Sequence, residues 1–235
     1  MIIYMMNERL IVALDVSSQD EALKAVKDIG PSLRFVKVGM ELFYSTGPEF
    51  IARLKDLDLK VFLDLKVHDI PNTAQRAIHV LSKLGCDMLN VHCSGGLAMM
   101  SQAQQALEGN TILIGVTQLT STDQKVLNDQ LGIPGTVKDS VLNYASLAKK
   151  AGLAGVVCSP HEVVQLKQTL GSDFITVTPG VRPAGGEVQD QKRVMTPGEA
   201  IAAGSDYLVV GRPIMGQSDR REAFERIVEE MEAAS

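Results

Sequence analysis

Eight short aliphatic runs, each followed by a stretch with helical spacing, recur along this chain, and few architectures accept that rhythm. The runs are Leu10 to Asp15, Phe35 to Gly39, Val61 to Lys66, Met88 to His92, Ile112 to Thr117, Gly155 to Cys158, Phe174 to Thr178 and Tyr207 to Val210. Between and after them lie helical segments at Asp20 to Ile29, Pro48 to Leu57, Thr73 to Leu84, Leu97 to Leu107, Ser140 to Ala151, Pro160 to Leu170, Thr196 to Ala203 and Asp219 to Ala234. Several open on a capping-type residue. Strands that alternate with helices imply right-handed crossovers and a parallel sheet. Eight such units within 235 residues suit a closed barrel better than an open sheet. The expected fold is therefore α/β, a (β/α)8 barrel of the TIM type. No Gly/Ser linker, low-complexity tract or charge block interrupts the pattern, so residues 1–235 read as a single domain.

In such a barrel, chemistry belongs at the carboxyl ends of the strands. The segment DLKVHDIPNT, Asp64 to Thr73, places charges there. Val61, Phe62 and Leu63 read as buried strand, and regular alternation would put Asp64 and Lys66 on one face with Leu65 on the other. Burying either charge alone would be prohibitive, so the two must neutralise one another or meet further charge. Asp69 lies beyond the strand and must aim elsewhere. The same rim carries Asp15 after the first strand, Lys37 near the end of the second, His92 at the end of the fourth, and Thr117 and Thr120 after the fifth. One polar residue at a strand end is commonly just a satisfied polar residue. Two lysines and two aspartates converging on one rim point to function.

A second signature follows the last two strands. TPGVRPAGG, from Thr178 to Gly186, and VGRPIMG, from Val210 to Gly216, each place glycine beside arginine. Glycine lets main-chain N–H groups approach an anion, arginine offers a fork of donors, and these two loops form the usual barrel phosphate site. A phosphorylated small molecule is implied. Nucleic acid is not: a net charge of −5, no Trp and 4% aromatics leave neither a basic footprint nor stacking platforms. Cys86, Cys93 and Cys158 are widely spaced in apolar runs, which suits buried thiols in a cytoplasmic protein better than disulfides or a zinc site. The opening MIIYMM lacks the basic start of a signal peptide, and no later run approaches the length of a membrane span.

DLKVHDIPNT, together with FVKVGMELF (Phe35 to Phe43), VTQLTS (Val116 to Ser121), VTPGVRP (Val177 to Pro183) and VVGRPI (Val209 to Ile214), closely resembles the orotidine 5'-phosphate decarboxylase family of the bacterial type. Five separated segments agree in order and in barrel position, whereas the DxKxxD core alone is shared with other phosphosugar barrels. The resemblance implies that Lys37, Asp64 and Lys66 form a charged array over the reacting carbon, with Asp69 supplied by the second subunit of a homodimer. Lys66 would stabilise and protonate a C6 carbanion. Asp15 and Lys37 would hold the ribose hydroxyls with Thr73 of the partner chain, while Thr120 would meet the pyrimidine. Ile70, also from across the interface, and Pro179 would be apolar neighbours of the base. Arg182, Gln191, Gly211 and Arg212 would bind the phosphate, with the stretch from Arg182 to Gln191 closing over it on a hinge or tip at Gly185 and Gly186. The implied reaction is the last step of de novo pyrimidine nucleotide synthesis and uses neither metal nor organic cofactor.

The nearest alternative is a metal-dependent phosphosugar decarboxylase or aldolase on the same DxKxxD barrel. Such a protein is expected to carry an acidic metal ligand on strand two, and a protonated lysine such as Lys37 cannot coordinate magnesium. A silent phosphate-binding sensor would gain little from burying opposed charges. A barrel whose rim charges merely pair would not need two Gly-Arg loops.

Overall fold

The computed structural model describes residues 6–183 and 195–234. Eight parallel strands close into a barrel in the order β1 to β8, with β1 pairing both β2 and β8. They are β1 (Leu10–Ala13), β2 (Phe35–Gly39), β3 (Lys60–Val67), β4 (Met88–His92), β5 (Ile112–Val116), β6 (Gly155–Val157), β7 (Ile175–Pro179) and β8 (Tyr207–Val210). The surrounding helices are α1 (Gln19–Ile29), α2 (Met40–Thr46), α3 (Glu49–Lys55), α4 (Pro71–Ser82), α5 (Gly96–Gln105), α6 (Val137–Lys150), α7 (Val163–Leu170), α8 (Pro197–Ala202), α9 (Arg212–Met215) and α10 (Arg220–Glu232). No helix among the described residues is long and apolar enough to cross a membrane.

Strand alternation sorts the core into two layers. Outward residues such as Leu10, Val12, Val36, Val38, Val61, Leu63, Leu89 and Val91 pack under the helices, together with Phe50, Phe224 and the buried thiols Cys86, Cys93 and Cys158. Inward residues Ile11, Ala13, Phe35, Phe62, Met88, Ile114, Val177 and Val209 fill the barrel itself. Phe35 and Tyr207 meet edge to face at 5.8 Å within this inner layer. The next inward positions along β2, β3 and β4 are Lys37, Asp64 and Asn90, all buried. An apolar interior thus gives way to a polar layer at the carboxyl rim. Beneath the barrel, Asp87 accepts from Lys55 Nζ at 2.6 Å and from the Val61 N–H at 2.8 Å. Asp206 likewise accepts from Lys167 Nζ at 2.6 Å and the Thr176 N–H at 2.7 Å, fastening strand starts away from the rim.

Several boundaries differ from those expected. β1 ends at Ala13, leaving Asp15 in the loop beyond it. The single helix expected at Pro48 to Leu57 is preceded by a separate helix, α2, with a break at Gly47 and Pro48. Gly47 takes φ 77°, and proline has no N–H to continue the ladder. α6 starts at Val137 rather than Ser140 because Thr136 and Asp139 form a reciprocal capping box. Between β5 and α6 stands a π-helical turn, Val126–Gln130, which strand-helix periodicity does not announce.

Candidate active site

The carboxyl rim opens onto a cavity of 220 Å³ whose walls include Asp15, Lys37, Gly39, Glu41, Asp64 and Lys66. Four of its charges form one chain of contacts. Lys37 Nζ donates to Asp15 Oδ1 at 2.8 Å and lies 3.5 Å from Asp64 Oδ2, and Lys66 Nζ donates to Asp64 Oδ1 at 2.7 Å. Gly39 makes room for this: a Cβ there would stand 3.1 Å from Lys37 Nζ and 3.4 Å from Asp15 Oδ1. Burial alone would push the Asp64 carboxyl up, but Lys37 and Lys66, with a hydrogen bond from Asn90, hold it below the usual carboxylate range. A buried anion is thus clamped between two cations, one of them half-exposed at the cavity wall.

Lys66 reaches this place by a route that alternation does not describe. The β3–β4 register passes from Leu63 opposite Leu89 to Val67 opposite Val91, four residues against two. Within this irregularity Lys66 adopts φ 50°, and its N–H donates to Asn90 Oδ1 at 2.8 Å. The expectation of a regular strand through Lys66 is therefore corrected. Asp64 faces inward by pleat, and Lys66 joins it through a left-handed main chain.

Asp69, Ile70 and Thr73 stand apart from this array. Asp69 is exposed and accepts the Ile70 N–H at 2.6 Å, Ile70 is 67% exposed, and Thr73 is exposed in the first turn of α4. Thr120 is half-buried in the loop after β5, and the buried Thr117 donates to the Val157 carbonyl at 2.9 Å, a packing role. Pro179 ends β7 at the rim. Arg182 is buried, with its guanidinium donating to the Val181 carbonyl at 2.9 Å. Gly211 precedes α9 beside the barrel seam, where a Cβ would meet Asp15 Oδ2 at 3.4 Å, and Arg212 is exposed. Gln191, Gly185 and Gly186 lie outside the described residues.

Two features were missed by sequence reasoning. Asn90 is one; its signal was a lone amide inside the apolar run MLNVH, where a buried polar group demands partners. The other is His68, which stacks on the rim residue His92 with ring centroids 5.5 Å apart. His92 ends β4, and its Nδ1 lies 2.6 Å from Ser94 Oγ. Burial, then the neighbouring His68 and Lys66, pull its pKa below the ordinary histidine value.

A closed eightfold barrel with buried, opposed charges at the carboxyl rim defines a (β/α)8-barrel enzyme. The model of the Orotidine 5'-phosphate decarboxylase / HUMPS family matches residues 8–227. The chain belongs to that family and is a carbon–carbon lyase. It is 48% identical over 227 residues to orotidine 5'-phosphate decarboxylase of Streptococcus suis, covering 96% of this chain and 98% of that one. With the enzyme of the same name from Streptococcus gordonii it shares 51% over 225 residues, covering 95% and 97%. The crystal structure of orotidine 5'-phosphate decarboxylase from Lactobacillus acidophilus superposes with a TM-score of 0.85 at 39% identity, covering 95% of this chain and 99% of that chain.

Proposed function

We propose that this chain converts orotidine 5'-phosphate to uridine 5'-phosphate and carbon dioxide without a cofactor, in the last step of pyrimidine nucleotide synthesis. The observation that carries the reading is the Lys37–Asp64–Lys66 array on the cavity wall, with Lys66 Nζ 2.7 Å from a buried carboxylate. When the C6–carboxylate bond breaks, its electron pair stays on C6 in the plane of the ring, where conjugation offers no sink. Stabilisation must then be electrostatic. A lysine ammonium offsets the new charge and transfers its proton to C6, acting as electrostatic partner and general acid. Asp64 and Asp69 would flank the departing carboxylate. Their principal role in this reading is to orient the lysines rather than to repel the substrate.

Asp15 and Lys37 would hold the ribose hydroxyls with Thr73 of a second copy, Thr120 would meet the ring, and Ile70 and Pro179 would pack against the base. Arg182, Gln191, Gly211 and Arg212 would take the phosphate. Phosphate binding energy, remote from the breaking bond, would be used to order the ring and exclude water. The exposure of Asp69, Ile70 and Thr73 on one short segment supports a homodimer in which they complete the partner's site. One domain spanning residues 1–235, working in the cytoplasm with its three cysteines as thiols, fits this reading.

The test is to follow orotidine 5'-phosphate by ultraviolet absorbance in the presence of a chelator. Steady conversion unaffected by the chelator is the expected result. No conversion refutes the proposal, and conversion abolished by the chelator favours the metal-dependent alternative.

A further inference from the structure

Asn90 spans the two catalytic groups without reaching the cavity. It lies on β4, is 2% exposed, and its side chain is absent from the cavity wall. Its Oδ1 accepts the Lys66 N–H at 2.8 Å, and its Nδ2 donates to Asp64 Oδ1 at 2.7 Å, the same oxygen that accepts Lys66 Nζ. The two partners fix the amide's orientation, since a main-chain N–H requires an oxygen and a carboxylate requires the NH2. The main-chain contact falls inside the β3–β4 irregularity, where Lys66 sits at φ 50° and Leu63 to Val67 spans only Leu89 to Val91. A left-handed lysine persists only where its surroundings over-determine it, and Asn90 supplies one such determinant.

We propose that Asn90 is a positioning residue for the decarboxylation: one amide anchors the backbone that carries Lys66 and the carboxylate that aims its ammonium. This rests on the function proposed above. Removing the amide loosens both ends of the Lys66–Asp64 pair at once, while the ribose and phosphate contacts stay in place. The ground state is therefore bound as before and only the reacting geometry suffers.

The test compares wild type with Asn90→Ala and with Asn90→Leu, the second filling the volume of the amide without its hydrogen bonds. Three quantities are read: kcat and KM for orotidine 5'-phosphate, uridine 5'-phosphate binding by calorimetry, and the crystal structure of each variant. The expected result is a fall in kcat of about 10²-fold, the scale of a small misplacement, with KM and product affinity kept. Lys66 is expected to leave the left-handed region in at least the better-folded variant. An unchanged kcat, a parallel loss of kcat and product binding, or a Lys66 main chain unmoved in both variants overturns the proposal. A wild type inactive on orotidine 5'-phosphate, with Lys66 displaced in the variants, overturns the decarboxylase reading and leaves the anchoring standing.

Discussion

Lys66→Gly separates what this residue does for stability from what it does for chemistry. At φ 50° a residue with a side chain carries a penalty of about 1–2 kcal/mol, and glycine is spared it. Two losses oppose that gain. The Lys66–Asp64 contact involves a side chain 31% exposed, so screening limits its contribution to about 1 kcal/mol or less. Asp64 keeps Lys37 at 3.5 Å and the Asn90 amide at 2.7 Å. Glycine also enlarges the unfolded ensemble, at about 0.4–1 kcal/mol. These contributions cancel to within about 1 kcal/mol, a shift of about 2–4 °C in melting temperature for a chain of this size. Lys66→Ala keeps the strain and loses the ion pair, so it should melt below Lys66→Gly by a similar margin. Turnover responds quite differently. Losing an electrostatic donor costs about 10²–10³-fold and losing a general acid about 10²–10⁴-fold, so both variants should fall by about 10⁴-fold or more while still binding uridine 5'-phosphate. Scanning calorimetry, an absorbance assay of orotidine 5'-phosphate and titration with product measure these outcomes. A Lys66→Gly melting loss beyond about 8 °C, twice the larger expected shift, would show the lysine to be structural. Turnover within about tenfold of wild type, a barrier change of only about 1.4 kcal/mol, would refute its chemical role.

Mixing inactive Lys66→Ala and Asp69→Ala subunits should restore activity through hybrid dimers, to about a quarter of the wild-type sites if chains exchange at random; no recovery despite mass-spectrometric proof of exchange counts against a shared site. Arg212→Ala should weaken uridine 5'-phosphate by about 10–100-fold, the scale of a lost charge-assisted hydrogen bond, and uridine hardly at all, so equal losses by calorimetry contradict its phosphate role. Stability should fall in two pH windows. His92, depressed by burial, His68 and Lys66, takes up its proton more readily unfolded, so stability drops as pH descends below 6.5, and urea melts of His92→Asn should be flatter there than wild type. Asp64 is held low by its two lysines against the effect of burial, so its contribution is present above 3.8 and drains as pH falls through the folded value; an Asp64→Asn melt that keeps the wild-type slope below that point opposes this.

The barrel was legible because strands buried on both faces read as unbroken apolar runs: LIVA of β1 and YLVV of β8 stand out against their polar flanks. The site charges were legible too, since Lys37, Asp64 and Lys66 interrupt such runs near their carboxyl ends. The geometry of Lys66 was not. Its left-handed main chain is bonded to Asn90, 24 residues away, and local pattern holds no record of so distant a contact. α2 escaped notice for a different reason. It follows β2 with no connecting loop, Gly39 serving as both strand end and helix cap, so periodicity changes without punctuation. Asp69 was legible as a residue that aims away from the Asp64–Lys66 pair, because it falls past the end of the apolar run, and it is exposed.

The pairing of β1 with β8 ties the chain's beginning to its end. Until residues 207–210 have been synthesised, β1 keeps a bare edge, the kind of surface on which nascent chains stick to one another. Gly211, just after β8, comes close to Asp15 across that same seam, a Cβ there standing 3.4 Å from Asp15 Oδ2, so a polypeptide halted before its eighth strand has an open ring. Closure of the ring therefore waits on a strand made after nearly nine-tenths of the chain, about 200 residues later than the one it joins.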